Sequence, residues 1–435
     1  MKDDELQVLG ARRKMSKREK WKLAITAVIF VSIMALFGLG SYLYVSPRKA
    51  DGMEVWKERG ELTIVPELQS AVDSILNANM TEIGNFLQGQ AIVMEVQTGE
   101  ILAMSGLERN FEGKFQPCKN FAYQQELGAL TKTASLLALL EMGIDSSYVV
   151  HTGEGVWEVE NGWCLKDHNW RRGGYMDLNL ARALEVSSNI GIGMPIWKSY
   201  KGHEQDFFDD LNKMSFGQPD FIDGIEGLKP TTYDSPKDSD WVNQSIIWSA
   251  IGYNRKIAPI QMLTFYNAIA NNGKMMKPTL KTGETEVINP RIASRYNIKC
   301  VQTILEHVVS QGLGLRAGSP MIRVAGKTGT SQVNEYDYYN EVGTPLVEYQ
   351  LAFCGYFPAD NPRYSMIVSM NKLGLPASGG GMAGVVFHDI MNWIITHDLL
   401  PLLIVDDETN DTIHITEGTL NKAYEILKKQ ENEQK

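Results

Sequence analysis

The run from Leu23 to Val45 carries no charged side chain and, at about 1.5 Å per helical residue, is long enough to cross a hydrocarbon core of roughly 30 Å. Arg12, Arg13, Lys14, Lys17, Arg18, Lys20 and Lys22 precede it, so the positive-inside rule places the N-terminus in the cytoplasm and the chain after Val45 outside. A cleaved signal peptide has an apolar core of only about 7 to 15 residues, followed by a small-residue cleavage site. Gly40 to Val45 supply no such site, so a single-pass anchor in the cytoplasmic membrane is expected. This divides the chain into a cytoplasmic tail (1–22), an anchor (23–45), a juxtamembrane linker (46–61), a main extracytoplasmic domain (62–398) and a charged C-terminal extension (399–435).

The main domain is long enough to bury a sizeable core. A formal net charge of −10, with no basic run beyond the N-terminal tail, argues against nucleic-acid binding. Cys118, Cys164, Cys300 and Cys354 lie far apart, leaving four separate thiols or one incidental disulfide and no zinc or dithiol motif. The seven histidines show no metal-ligand spacing, so no metal and no cofactor is expected.

Within the domain, Leu62-Thr63-Ile64 reads as a brief strand before a helix opened by Pro66, with Leu68, Val72, Ile75 and Leu76 as its apolar stripe. Ala91–Val96 and Ile101–Met104 flank Gln97-Thr98-Gly99-Glu100 and predict a hairpin. Ala129–Met142 predicts a buried helix stopped at Gly143, and Pro259 opens another that ends near Asn271-Asn272-Gly273. Val324–Val333, Leu351–Tyr356 and Tyr364–Met370 read as late strands, and Ser378–Gly384 as a flexible turn before the last helix. Strands at both ends with helices between them predict an α+β fold, an antiparallel sheet flanked by helices.

Gly326-Lys327-Thr328-Gly329-Thr330 is the most informative segment. A phosphate loop needs glycine where Met321 stands, and a helix where Gly329–Val333 has strand character. As Lys-Thr-Gly on an edge strand, it sets an ammonium and hydroxyls toward an anionic group while the glycine admits a ligand backbone. Ser187-Ser188-Asn189 supplies a Ser-x-Asn triplet between the leucine-rich helix and that strand.

With Pro66-Glu67-Leu68-Gln69, Thr98-Gly99-Glu100-Ile101, Ile251-Gly252-Tyr253, Pro259-Ile260-Gln261 and Gly355-Tyr356-Phe357-Pro358, these elements resemble, in order, the class B penicillin-binding proteins among the serine penicillin-recognising enzymes. The resemblance implies their transpeptidase fold and a serine acyl transferase acting on D-Ala-D-Ala stem peptides of peptidoglycan. It makes Lys132 the base, Ser187 a proton relay and Asn189 a clamp on the substrate amide. Lys327 would supply positive potential, and Thr328, Gly329 and Thr330 the substrate-binding strand, with backbone N–H groups of residues 129 and 330 as oxyanion donors.

The match breaks at the nucleophile. Where the family reads Pro-Gly-Ser-Thr-x-Lys, this chain has Leu127-Gly128-Ala129-Leu130-Thr131-Lys132. Changes at Leu127 and Leu130 as well as at Ala129 point to natural divergence rather than one engineered Ser→Ala substitution. Thr131 lies about 200° around the helix from residue 129, and Thr133 about 6 Å deeper along its axis, so neither is well placed to attack. Ser187 would attack from the relay's side. Losing such a nucleophile costs about a million-fold in turnover in a serine protease, so acylation is expected to be lost.

The expected function is therefore a transpeptidase-like domain of peptidoglycan synthesis that binds stem peptide, or β-lactams non-covalently, without acylation. Two alternatives stand beside it: an active DD-transpeptidase or carboxypeptidase with a substitute nucleophile, and a scaffold for division or elongation proteins. His168, Trp163, Trp170 and Tyr175 either line the groove or pack under a long loop. The stretch between Val45 and Leu62 is too short for a glycosyltransferase or for the family's usual pedestal, so glycan polymerisation is not expected.

Overall fold

A computed structural model describes residues 61–339 and 345–399. The expected anchor at 23–45, the tail before it, nearly all of the expected linker and the expected C-terminal extension after residue 399 lie outside the described residues, and no described helix is long and apolar enough to cross a membrane.

Six strands form one antiparallel sheet: β1 (Phe86–Glu95), β2 (Ile101–Arg109), β3 (Phe115–Pro117), β4 (Ala325–Tyr339), β5 (Pro345–Phe357) and β6 (Tyr364–Leu373), in the order β4-β5-β6-β1-β2-β3. The predicted hairpin is β1–β2, with Gln97–Glu100 at its turn. β1 and β6 are buried along nearly their whole length, as strands covered on both faces must be.

Alternation along the strands sorts residues between the two faces. On one, Phe353 and Phe357 meet Phe387 of helix α6 (Gly384–Ile394), which packs beside α1 (Pro66–Ile83). On the other, Cys354 and Tyr356 join a large apolar core with α2 (Lys132–Glu141), α3 (Asn189–Tyr200), α4 (Pro259–Ala270) and α5 (Arg295–Ser310). The helix α1 buries Leu68, Val72, Leu76 and Met80, while Ile75 is only half-buried at the edge of that stripe.

Three local expectations change. Leu62 makes a single bridge to Lys281 and no strand. The expected helix at Ala129 begins as a 3₁₀ turn over Gly128–Leu130 and becomes α-helical at Lys132, because Gly128 has a left-handed φ of 55°. Ser378–Gly384 is not a loose turn: Gly379–Ala383 winds as a π-helical turn with buried glycines, its entry capped by Ser378. All four cysteines are free thiols.

Candidate active-site groove

Three chain segments converge beside β4. The first is the 3₁₀ turn carrying Ala129. A Cβ on Gly128 would lie 2.9 Å from the Thr330 carbonyl oxygen, and one on Gly252 only 1.8 Å from the Gly128 carbonyl oxygen. Both glycines have positive φ, so backbone approach that no side chain permits sets residue 129 against the Lys-Thr-Gly strand. The flanking Leu127 and Leu130 are fully buried, and Leu130 lies beside Gly329.

The second segment is a helix end. Leu180–Glu185 closes with Ser187 N–H donating to the Leu184 carbonyl and Ser188 N–H to that of Ala183, a Schellman pattern with Ser187 in the left-handed position at φ 56°. Glycine is usual there, and an L side chain in that conformation costs roughly 1–2 kcal/mol. That turn aims the Ser187 hydroxyl between two lysines: Lys132 Nζ lies 3.3 Å and Lys327 Nζ 3.0 Å from Oγ. Lys132 also donates to the Ser187 carbonyl and to Asn189 Oδ1, both at 2.7 Å. Asn189 in turn donates from Nδ2 to the Lys166 carbonyl at 2.8 Å.

On the third segment, β4, Lys327 and Ser331 face the helical layer, where Ser331 Oγ donates to the Glu126 carbonyl. Thr328 and Thr330 face the other way, toward Gly379–Gly380. Gly379 N–H donates to Thr330 Oγ1 at 3.0 Å, leaving the exposed threonine its own proton to donate. Ala129, Ser187 and Asn189 are half-buried where the three segments meet, and Lys132 and Lys327 lie buried beneath them.

The electrostatics follow from that burial. Desolvation pulls Lys132 down to about 7, opposed by the field of Asp167. Lys327 falls well below the ordinary lysine range, chiefly by burial and then by the neighbouring Lys132. Two amines within reach of one hydroxyl, neither paired with a carboxylate, disfavour double protonation, which favours an unprotonated amine beside that hydroxyl.

Asp167 was not singled out by the sequence. It is 1% exposed, accepts from Ser188 Oγ at 2.7 Å with Oδ2, and from the backbone N–H groups of Asn189 and Ile190 at 2.6 and 3.0 Å with Oδ1. A carboxylate on the first N–H groups of α3 complements the helix dipole and fixes the Ser-x-Asn corner. No local motif marks it, because its partners lie more than 20 residues away.

The substitute hydroxyls fall as expected from helical geometry. Thr133 is locked to Tyr266 Oη at 2.7 Å inside the core, and Thr131 is buried at the helix start. Ser187 alone lies in the groove. Of the aromatic stretch, His168 sits over the Val186 carbonyl with Tyr175 Oη 2.8 Å from its Nε2, while Trp163 packs edge-on against Trp248. Among the described residues no cluster of three or more metal-ligating side chains occurs.

The six-stranded sheet, its two helical layers and the cluster of Lys132, Ser187, Asn189 and Lys327 beside β4 define the transpeptidase class of α+β domain. The chain belongs to the penicillin-binding protein transpeptidase domain family, whose sequence signature matches residues 89–392. It is 26% identical over 347 residues to the penicillin-binding protein PbpB of Mycobacterium tuberculosis, covering 72% of this chain and 48% of that protein. To the peptidoglycan D,D-transpeptidase FtsI of Escherichia coli it is 24% identical over 378 residues, 82% of this chain and 60% of the other. The chain thus spans about half the length of the curated relatives it matches. The transpeptidase domain of Burkholderia pseudomallei penicillin-binding protein 3 superimposes with a TM-score of 0.65 at 25% identity, covering 80% of this chain and 98% of that one.

Proposed function

We propose that this domain binds a D-Ala-D-Ala-ended peptidoglycan stem peptide, and β-lactams non-covalently, without forming an acyl-enzyme. The observation that carries the reading is Ala129: a methyl group stands where the attacking oxygen belongs, in a groove that keeps Lys132, Ser187, Asn189 and Lys327 together. In this reading Asn189 holds the penultimate amide, the hydroxyls of Thr328 and Thr330 hold the terminal carboxylate, and Lys327 lends positive potential. The backbone N–H groups of residues 129 and 330 polarise a carbonyl that nothing attacks. Residues 23–45 would hold the domain on the outer side of the cytoplasmic membrane, where cell-wall peptides and division or elongation proteins are within reach.

The test pairs two measurements on the full chain. Incubation with a fluorescent penicillin followed by denaturing electrophoresis should leave no band, and a D-Ala-D-Ala-ended peptide should bind in a calorimeter with an affinity that Lys327→Ala lowers. A covalent adduct, mapped by mass spectrometry to Ser187 or another hydroxyl, would establish a substitute nucleophile instead. Absence of peptide binding would leave the scaffold role.

A further inference from the structure

The loop that supplies Asp167 to the groove also carries a basic rim. Lys166 Nζ stands 4.5 Å and Arg171 Cζ 4.9 Å from the ring centroid of Trp170, itself 36% exposed, and Arg172 follows directly. All three cations are solvent-exposed. Among the described residues none of them forms a salt bridge or a side-chain hydrogen bond. The acid within the loop, Asp167, is buried and engaged by Ser188 and the start of α3. In a chain of net charge −10, three cations on one short loop with no ion pair stand out.

The rim is held in place rather than loose. Cation–π contact with one indole holds both Lys166 and Arg171 against the same ring. Repulsion among exposed cations, screened over a Debye length of roughly 8 Å, is lowered further when an anion binds. The rim adjoins the groove: the Lys166 carbonyl accepts from Asn189, and the fields of Lys132 and Arg172 both reach His168.

The geometry points to Lys166, Arg171 and Arg172 around Trp170 as a binding site for a phosphoryl group, mono- or diphosphate, at the Ser-x-Asn end of the groove. Three cations exceed what one carboxylate neutralises, and two guanidinium forks suit the several oxygens of a phosphate. The site goes beyond the groove reading and does not depend on it. The phosphoryl group is either soluble or borne on a lipid headgroup.

Calorimetry of the full chain with inorganic pyrophosphate is expected to show binding that weakens with salt. R171E/R172E should lower the affinity at least about tenfold. The milder R171Q/R172Q should also weaken it, and R171K/R172K, which keeps the charges but loses the forks, should weaken it less than R171Q/R172Q, which separates charge from folding. Lys327→Ala should leave it unchanged. Co-sedimentation with phosphatidylglycerol vesicles, against phosphatidylcholine alone, identifies the source. A wild-type excess over R171E/R172E on the anionic vesicles assigns the site to a lipid headgroup, and equal sedimentation beside pyrophosphate binding assigns it to a soluble phosphate. No pyrophosphate binding, or equal binding by wild type and R171E/R172E, overturns the proposal.

Discussion

Ala129→Ser returns one oxygen to the groove and asks whether the rest of the acylating machinery is intact. Residue 129 is half-buried on the 3₁₀ turn, so one added hydroxyl should change stability by no more than about 1 kcal/mol. Lys132, one turn on, is pulled down to about 7 by burial, which favours its unprotonated form as a base near neutral pH. In the best-studied serine protease, deleting the nucleophile costs about a million-fold, roughly 8 kcal/mol of barrier. Even partial recovery, because Leu127 and Leu130 differ from the family pattern, should raise the rate of labelling by fluorescent penicillin at least about a thousand-fold. Gel fluorescence over time, intact mass and a peptide map would place the adduct on residue 129, with a melting curve to show that the variant is folded. A folded Ala129→Ser variant that stays unlabelled would refute the reasoning, since the retained lysines would then not form an acylation site.

Three further outcomes follow from the same geometry. Gly128→Ala forces a Cβ to 2.9 Å from the Thr330 carbonyl oxygen in a left-handed conformation and should cost about 1–3 kcal/mol by denaturant unfolding. Burial lowers Lys132 and Lys327 in the folded state, so from about 7 up to the ordinary 10.5 the unfolded chain binds more protons than the folded one. Stability should therefore rise with pH across that window, with the penalty fully present below it, and Lys132→Met should flatten the rise in pH-resolved unfolding curves. Asp167→Asn faces an amide donor toward Ser188 Oγ and removes a charged acceptor, at about 1.5–3 kcal/mol, while Lys132 titrates lower still for want of the Asp167 field. Chemical unfolding and NMR of the lysine side chain report the two effects separately.

Much of the site was legible in the sequence because its chemistry sits in short contiguous motifs. Ala129 and Lys132 fall one helical turn apart, Ser187 and Asn189 bracket a cap, and Lys327 to Thr330 form one strand, so the resemblance to short family motifs suffices to pick them out. The order of strands and helices was readable for the same reason, since apolar alternation and Pro or Gly boundaries act over a few residues. The residues that decide how these motifs meet were not legible. Asp167 looks like any loop acid until the fold lays it against α3, and Gly128 and Gly252 look like ordinary turn residues until their backbones touch. The inward pull on the two lysines likewise depends on burial, which only the packed core creates. The sequence by itself determined which groups are present, including the alanine at position 129. Only the tertiary structure decided that both amines converge on Ser187 and that a basic rim adjoins them, because contacts between segments far apart in the chain arise from packing and not from local pattern.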